Sequence, residues 1–148
     1  MKIKLRKFNA EDAYLLKKYQ FHQMDMNEST DMIALWNKNL YNGRYCEVFA
    51  AEYHDALSGW FSMAELPNGR ISIGPTVFEP YRQKGIAFSV MRNLLFTAKR
   101  NGYSLAGAQI RINNAASIKL HEKLGYIQDG KVINRNLNEV FVYTKELK

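Results

Sequence analysis

Val77-Phe78-Glu79-Pro80-Tyr81-Arg82-Gln83-Lys84-Gly85-Ile86-Ala87 joins a strand-like run to the start of the longest amphipathic stretch in the chain. Pro80 cannot donate to a strand ladder, so the strand in front of it ends near Phe78. From Gly85 to Arg100, Ile86, Val90 and Leu94 recur every four residues, with Ala87, Met91 and Leu95 beside them. That is the wide apolar face of a helix packed on a sheet. Lys99 and Arg100 suit the negative end of its dipole, and Asn101-Gly102 stops it. The first N–H groups of such a helix lack intrahelical acceptors and carry about half a positive charge. Gly85 and the small Ala87 admit a ligand close to the backbone, and Arg82 and Lys84 add full charges, as in a phosphate or pyrophosphate cradle. An ordinary strand-to-helix turn with solvated basic residues has the same composition, so the segment alone leaves both readings open. It has neither the Gly-x-x-x-x-Gly-Lys-Ser/Thr of a nucleoside triphosphate loop nor the Gly-x-Gly-x-x-Gly of a dinucleotide fold.

Working outward, Ile3, Leu5 and Phe8 alternate with basic residues as a first strand, and Asn9 caps a helix with Glu11 and Asp12 in its first turn. The polar junction Asn27–Asp31 is expected to start a second helix carrying Met32, Leu35, Trp36 and Leu40, stopped near Asn42-Gly43. Three strands follow: Glu47–Tyr53 and Gly59–Glu65 as a hairpin about His54-Asp55, then Ile71 to about Phe78 after the turn Pro67-Asn68-Gly69. Beyond the long helix come a strand from Leu105 to Ile112, a helix from Ala115 to Leu124 closed by Gly125, and strands ending at Val140–Tyr143. The βααββββαβαββ-like order implies one α/β domain, residues 1–148, with helices on both faces of a mixed sheet.

A second segment extends the first: Asn114-x-x-Ser117-Ile118-x-Leu120-His121-Glu122-Lys123-Leu124-Gly125-Tyr126. Together with Arg82-x-x-Gly85-x-Ala87 and the strand between them, it closely resembles the GNAT superfamily of acyl-CoA-dependent N-acyltransferases over residues 71 to 127. The resemblance implies a splayed sheet with acetyl-CoA between the strands ending near Phe78 and Ile112. It implies cofactor contacts from Val77, Arg82, Gln83, Lys84, Gly85, Ile86, Ala87, Phe88 and Asn114. The turn would bind pyrophosphate through backbone N–H groups; the strand to Val77 and the Asn114 side chain would meet the pantetheine arm. For Asn114, plain helix capping is the alternative. Where the family often has a Tyr that protonates the departing thiolate, this chain has His121, which can donate a proton at neutral pH or simply pack beside Leu120 and Leu124. The Glu that some members place at Ile71 is missing, which leaves Glu52, Glu65 and Glu79 as candidates to act on the amine through water, with a solvated surface carboxylate as the other reading of each. The stretch Tyr19–Met26 falls where the family lines its acceptor pocket, and core or loop is its other reading.

Composition bounds the rest. The chain has 148 residues with 21 Lys+Arg against 14 Asp+Glu, a formal +7, and 47% hydrophobic residues, as befits a soluble folded domain. The longest apolar run, Met32–Trp36, is far short of the roughly 20 residues of a membrane span, so no membrane partner is expected. Met1–Lys7 is basic with no apolar region behind it, hence not a secretory signal. The lone Cys46 excludes an internal disulfide and suits a cytoplasmic protein, and His22, His54 and His121 lack metal-ligand spacing, so no metal is expected. The favoured reading is an N-acetyltransferase using acetyl-CoA, acting on a small-molecule or peptide amine in a ternary complex, with a homodimer allowed. The runner-up is an acyl-CoA-binding protein of the same fold without catalysis. A basic nucleic-acid-binding domain comes third, supported by charge alone.

Overall fold

The computed structural model describes residues 2–148. Its strands are β1 (Ile3–Arg6), β2 (Leu40–Tyr41), β3 (Arg44–Tyr53), β4 (Ala56–Glu65), β5 (Ile71–Val77), β6 (Leu105–Arg111), β7 (Ile127–Ile133) and β8 (Glu139–Glu146). The helices are α1 (Ala13–Tyr19), α2 (Met26–Trp36), α3 (Ile86–Arg100) and α4 (Ala115–Lys123), with short 3₁₀ turns at Ala10–Asp12 and Glu79–Tyr81. The sheet is mixed and eight-stranded, in the order β1-β3-β4-β5-β6-β8-β7, with β2 paired to β3. β1, β2 and β4 each run antiparallel to β3, and β6 and β7 antiparallel to β8, whereas β5 and β6 run parallel with the register pair Ile71↔Ala106. The element order matches the one read from the sequence.

The chain forms two compact units, and β5 and α3 run from one into the other. One holds the residues up to Glu65 together with Gly74–Ala87; the other holds Leu66–Ile73 and Phe88–Lys148. In the first, α1, α2, β3 and β4 enclose Leu16, Ile33, Val48, Ala50, Leu57 and Phe78. Asn9 and Asp12 form a reciprocal capping box, and Asp12 also takes a two-pronged hydrogen bond from Arg6, at 2.8 and 2.9 Å. In the second, Val90, Met91, Leu94 and Ala98 bury one face of α3, and Tyr143 of β8 is buried with its hydroxyl donating to Glu122.

Helix α2 departs from the expected boundaries at both ends. It starts at Met26 because Asp25 accepts from the Glu28 N–H while Glu28 accepts from the Asp25 N–H, a capping box two residues ahead of the junction read as the start. It ends at Trp36, with Asn39 left-handed at φ 59°, so Leu40 starts β2 and pairs with Tyr45 of β3 instead of extending the helix. Leu35 and Leu40 are exposed, and Ile33 carries the buried stripe.

The hairpin of β3 and β4 turns on His54-Asp55, both left-handed, as its two-residue connection requires. Farther along, the ladder steps from Ala51↔Gly59 to Glu52↔Leu57, so Ser58 is an extra, bulged residue. Its hydroxyl donates to the Ala51 carbonyl at 2.9 Å, and its own carbonyl accepts from the Phe78 N–H at 2.8 Å. Beside it, a Cβ on Gly59 would stand 2.1 Å from the Thr76 carbonyl oxygen and 2.9 Å from the Val77 Cα. Glycine is therefore required where the end of β5 crosses β4. Gly59→Ala should displace backbone and destabilise the protein by about 2 kcal/mol or more, read as a thermal midpoint lowered by roughly 6 °C. An unchanged midpoint would show that this approach is not tight.

Candidate functional site

Within the first unit, the bulge and Gly59 fix where β5 ends and the turn begins. Phe78 is buried, stacked on Tyr19 at 4.8 Å between ring centres. Pro80 then sits in a 3₁₀ turn closed by Tyr81 N–H to Phe78 O and Arg82 N–H to Glu79 O. Arg82 is extended at φ −75°, ψ 161°, Gln83 is left-handed at φ 62°, and Gly85 is left-handed at φ 79°. Such alternation along a short turn brings successive N–H groups toward one concavity, the arrangement of an anion-binding nest. Ile86, 2% exposed, anchors the first turn of α3 in the interior while Arg82, Gln83, Lys84 and Gly85 are exposed. Arg82 Nε donates to the Val77 carbonyl at 2.9 Å, which brings two of the expected site residues together and satisfies that carbonyl. The turn thus presents backbone donors, two basic side chains and a helix N-terminus to solvent, a set that fits a pyrophosphate.

Asn114 and His121 belong to the second unit. Asn114 caps α4: its Oδ1 accepts from the Ser117 N–H at 3.1 Å. That bond uses only the oxygen, and the amide NH2 has no partner among the described residues. Capping and ligand contact are therefore compatible in this side chain. His121 is buried, with Nδ1 2.8 Å from the Ser117 carbonyl oxygen and its ring edge-on to Tyr126 at 4.9 Å. A carbonyl can only accept, so the neutral ring carries its proton on Nδ1 and Nε2 is an acceptor. Burial holds the pKa of His121 below its usual 6.5, against a smaller opposing effect of the Ser117 bond. The Tyr126 hydroxyl is buried with no hydrogen-bond partner among the described residues, and burial raises its pKa. Phe88, at the start of the second unit's part of α3, lies under the Lys123 ammonium, 4.4 Å from its ring centre.

Of the carboxylates considered as bases, Glu52 is engaged by Arg6 at 3.5 Å and Glu79 is exposed in the turn after β5. Cys46 is half-buried with its thiol pKa raised by burial, the opposite of an activated nucleophile. Much of Tyr19–Met26 serves the core and the caps. Phe21 packs against Trp36 and Trp60, Gln20 accepts from the Trp60 indole N–H, and His22 and Gln23 are exposed. Among the described residues, no group of three or more His, Cys, Asp or Glu is placed to hold a metal, and no helix is long and apolar enough to cross a membrane. Sequence reasoning missed Ser58, Gly59 and the left-handed Gln83. A glycine inside a strand-like run was the available signal for the first two; Gln83 had none.

A family model described as the acetyltransferase (GNAT) family matches residues 10–126. An SPbeta prophage-derived uncharacterized N-acetyltransferase, YokL, of Bacillus subtilis strain 168 is 36% identical over 66 residues, a match that takes in 44% of this chain and 37% of that relative. Among solved structures, an acetyltransferase from Salmonella typhimurium that modifies the N-terminal serine of ribosomal protein L7/L12 superposes with a TM-score of 0.82 at 16% identity, covering 99% of this chain and 95% of that one. The Salmonella typhimurium protein YncA, solved with its cofactor acetyl-CoA, gives 0.74 at 18% identity, over 99% and 94%. At these identities the superpositions establish the fold.

The lowered pKa of His121 has a stability consequence of definite sign. Because the folded protein binds the proton less readily than the unfolded chain, this contribution is fully present above pH 6.5 and is lost as the pH falls below it. Thermal midpoints taken at mildly alkaline pH and again below pH 6 should fall further in wild type than in His121→Phe. Equal falls in the two proteins would show that His121 titrates as a solvated residue.

Proposed function

The chain belongs to the acetyltransferase (GNAT) family, and from that premise we propose that residues 1–148 act as one acetyl-CoA-dependent N-acetyltransferase domain. The observation that carries the reading is the turn from Arg82 to Ala87, where left-handed Gln83 and Gly85 lead into the N-terminus of α3. In this proposal its N–H groups, with Arg82 and Lys84, hold the pyrophosphate, and Phe88 extends the contact along the helix. The Val77 backbone N–H and the free amide of Asn114 serve the pantetheine arm and the thioester carbonyl. The cofactor supplies an activated acyl group; everything else is positioning and electrostatics.

The acceptor amine, in its neutral form, attacks the thioester carbonyl. The carbon–sulfur bond breaks, the amine gives up a proton to water, and the thiolate departs. We assign the thiolate's new proton to water as well. The neutral His121 keeps its proton on Nδ1, bonded to Ser117, and an acid at Nε2 would need the imidazolium that burial disfavours. His121 then positions α4 against Tyr126. Phe should replace it with a change in kcat of less than about threefold, whereas a proton donor would cost about 10²-fold. The single Cys46 suits a reducing cytoplasm.

A small-molecule or peptide amine is the acceptor class proposed. It follows from the need for a nucleophilic amine, and the Salmonella neighbour that modifies an N-terminal serine is consistent with it. Screening an amine panel for release of free CoA, with the product mass confirmed, tests the activity; no release with any amine would favour a cofactor-binding protein without catalysis. Gly85→Glu puts an anion on the cradle and should weaken acetyl-CoA binding more than about tenfold, or 1.4 kcal/mol. Calorimetry showing wild-type affinity in this variant would remove the pyrophosphate assignment. With no acyl-enzyme nucleophile in view, initial-rate lines should intersect; parallel lines with an acetylated protein mass would contradict direct transfer.

A further inference from the structure

The second unit carries a groove of about 900 Å³ whose lining, apart from Phe88, takes no part in the acetyltransferase reading. Its lining comes from α3, the end of α4, β7 and β8. Leu95 and Leu124 are buried at its base, while Phe96 and Ile127 reach it largely exposed, at 59% and 73%. Arg92, Lys99, Lys123 and Lys145 also line it. None of these four has a carboxylate at ion-pair distance among the described residues. Of the two acidic side chains present, Glu146 is paired with Lys148 at 2.9 Å, and Asp129, which accepts from the Thr144 hydroxyl at 3.3 Å, leaves the four cations in excess. The Lys145 ammonium is held so near the end of α4 that a Cβ on Gly125 would lie 2.8 Å from it.

Four unneutralised cations around an apolar recess repel one another and favour an anionic occupant. Arg92 and Lys99 are seven residues apart on α3, about 10 Å along the axis, so one small anion cannot serve both. The Phe88 ring is covered by Arg92 and Lys123 and the Phe96 ring by Arg100, which leaves Leu95, Leu124 and Ile127 as aliphatic contacts that suit aliphatic side chains better than nucleobases. We infer that this groove docks an acidic protein segment whose carboxylates alternate with apolar side chains. The occupant meets the cations at the rim and places its apolar side chains on Leu95, Phe96 and Ile127. This docking stands whether or not the protein turns over acetyl-CoA.

The test uses the full chain and a short fluorescein-labelled peptide of Glu with Leu at every third or fourth position, followed by anisotropy. The peptide should bind, and binding should weaken with salt. Lys99→Glu combined with Lys145→Glu, and separately Phe96→Ser, should each weaken it more than about tenfold, with melting curves confirming folded variants and amine acetylation unchanged. Equal binding of the Lys-for-Glu peptide, or of a Glu peptide lacking Leu, would overturn the inference. So would stronger binding of a single-stranded oligonucleotide of equal charge, displacement of the peptide by acetyl-CoA, or wild-type affinity in both variants.

Discussion

The approach of the Thr76 carbonyl to Gly59 is the constraint on which the proposed cofactor turn depends. Beside it, the bulged Ser58 turns its carbonyl to the Phe78 N–H, so the end of β5 is held by a hydrogen bond and by the absence of a side chain. Phe78 is clamped in the core against Tyr19, which fixes the point where the chain leaves the sheet. Pro80, extended Arg82 and the left-handed Gln83 and Gly85 complete the turn into α3. Each of these contacts is made within the chain. A donor set assembled by packing alone needs little reorganisation when an anion arrives, which is where preorganised electrostatics gain their strength.

Polar groups elsewhere follow the same economy. Asn114 caps α4 with its oxygen and keeps two donors for other work. His121 is committed differently: burial and the Ser117 carbonyl together favour a neutral ring with its proton already engaged. In the proposed mechanism His121 thus holds the helix in place and leaves proton delivery to solvent. For a thiolate, whose conjugate acid has a pKa near 8.5, that is an undemanding task for water.

Much of this is legible in the sequence alone. The four-residue recurrence of Ile86, Val90 and Leu94, the stop at Asn101-Gly102 and the His54-Asp55 hairpin are local signals, and local physics decided them. Helix α2 was misplaced because the Asp25–Glu28 capping box is a stronger start signal than the polar run after it, and because Leu40 satisfies helical spacing while pairing in a strand. Gly59 was visible only as a glycine in a strand; that a carbonyl seventeen positions away would rest on it is a tertiary fact. The groove was illegible for the same reason, since its cations come from α3, α4 and β8, far apart in the chain.

We propose that the backbone of the turn, more than its side chains, receives the cofactor's pyrophosphate. The most direct measurement follows the backbone amide resonances in ¹⁵N-labelled protein while CoA is titrated. The account predicts that Gly85, Ile86 and Ala87 shift most and saturate together at the affinity found by calorimetry. CoA that binds while these amides stay unmoved would contradict it.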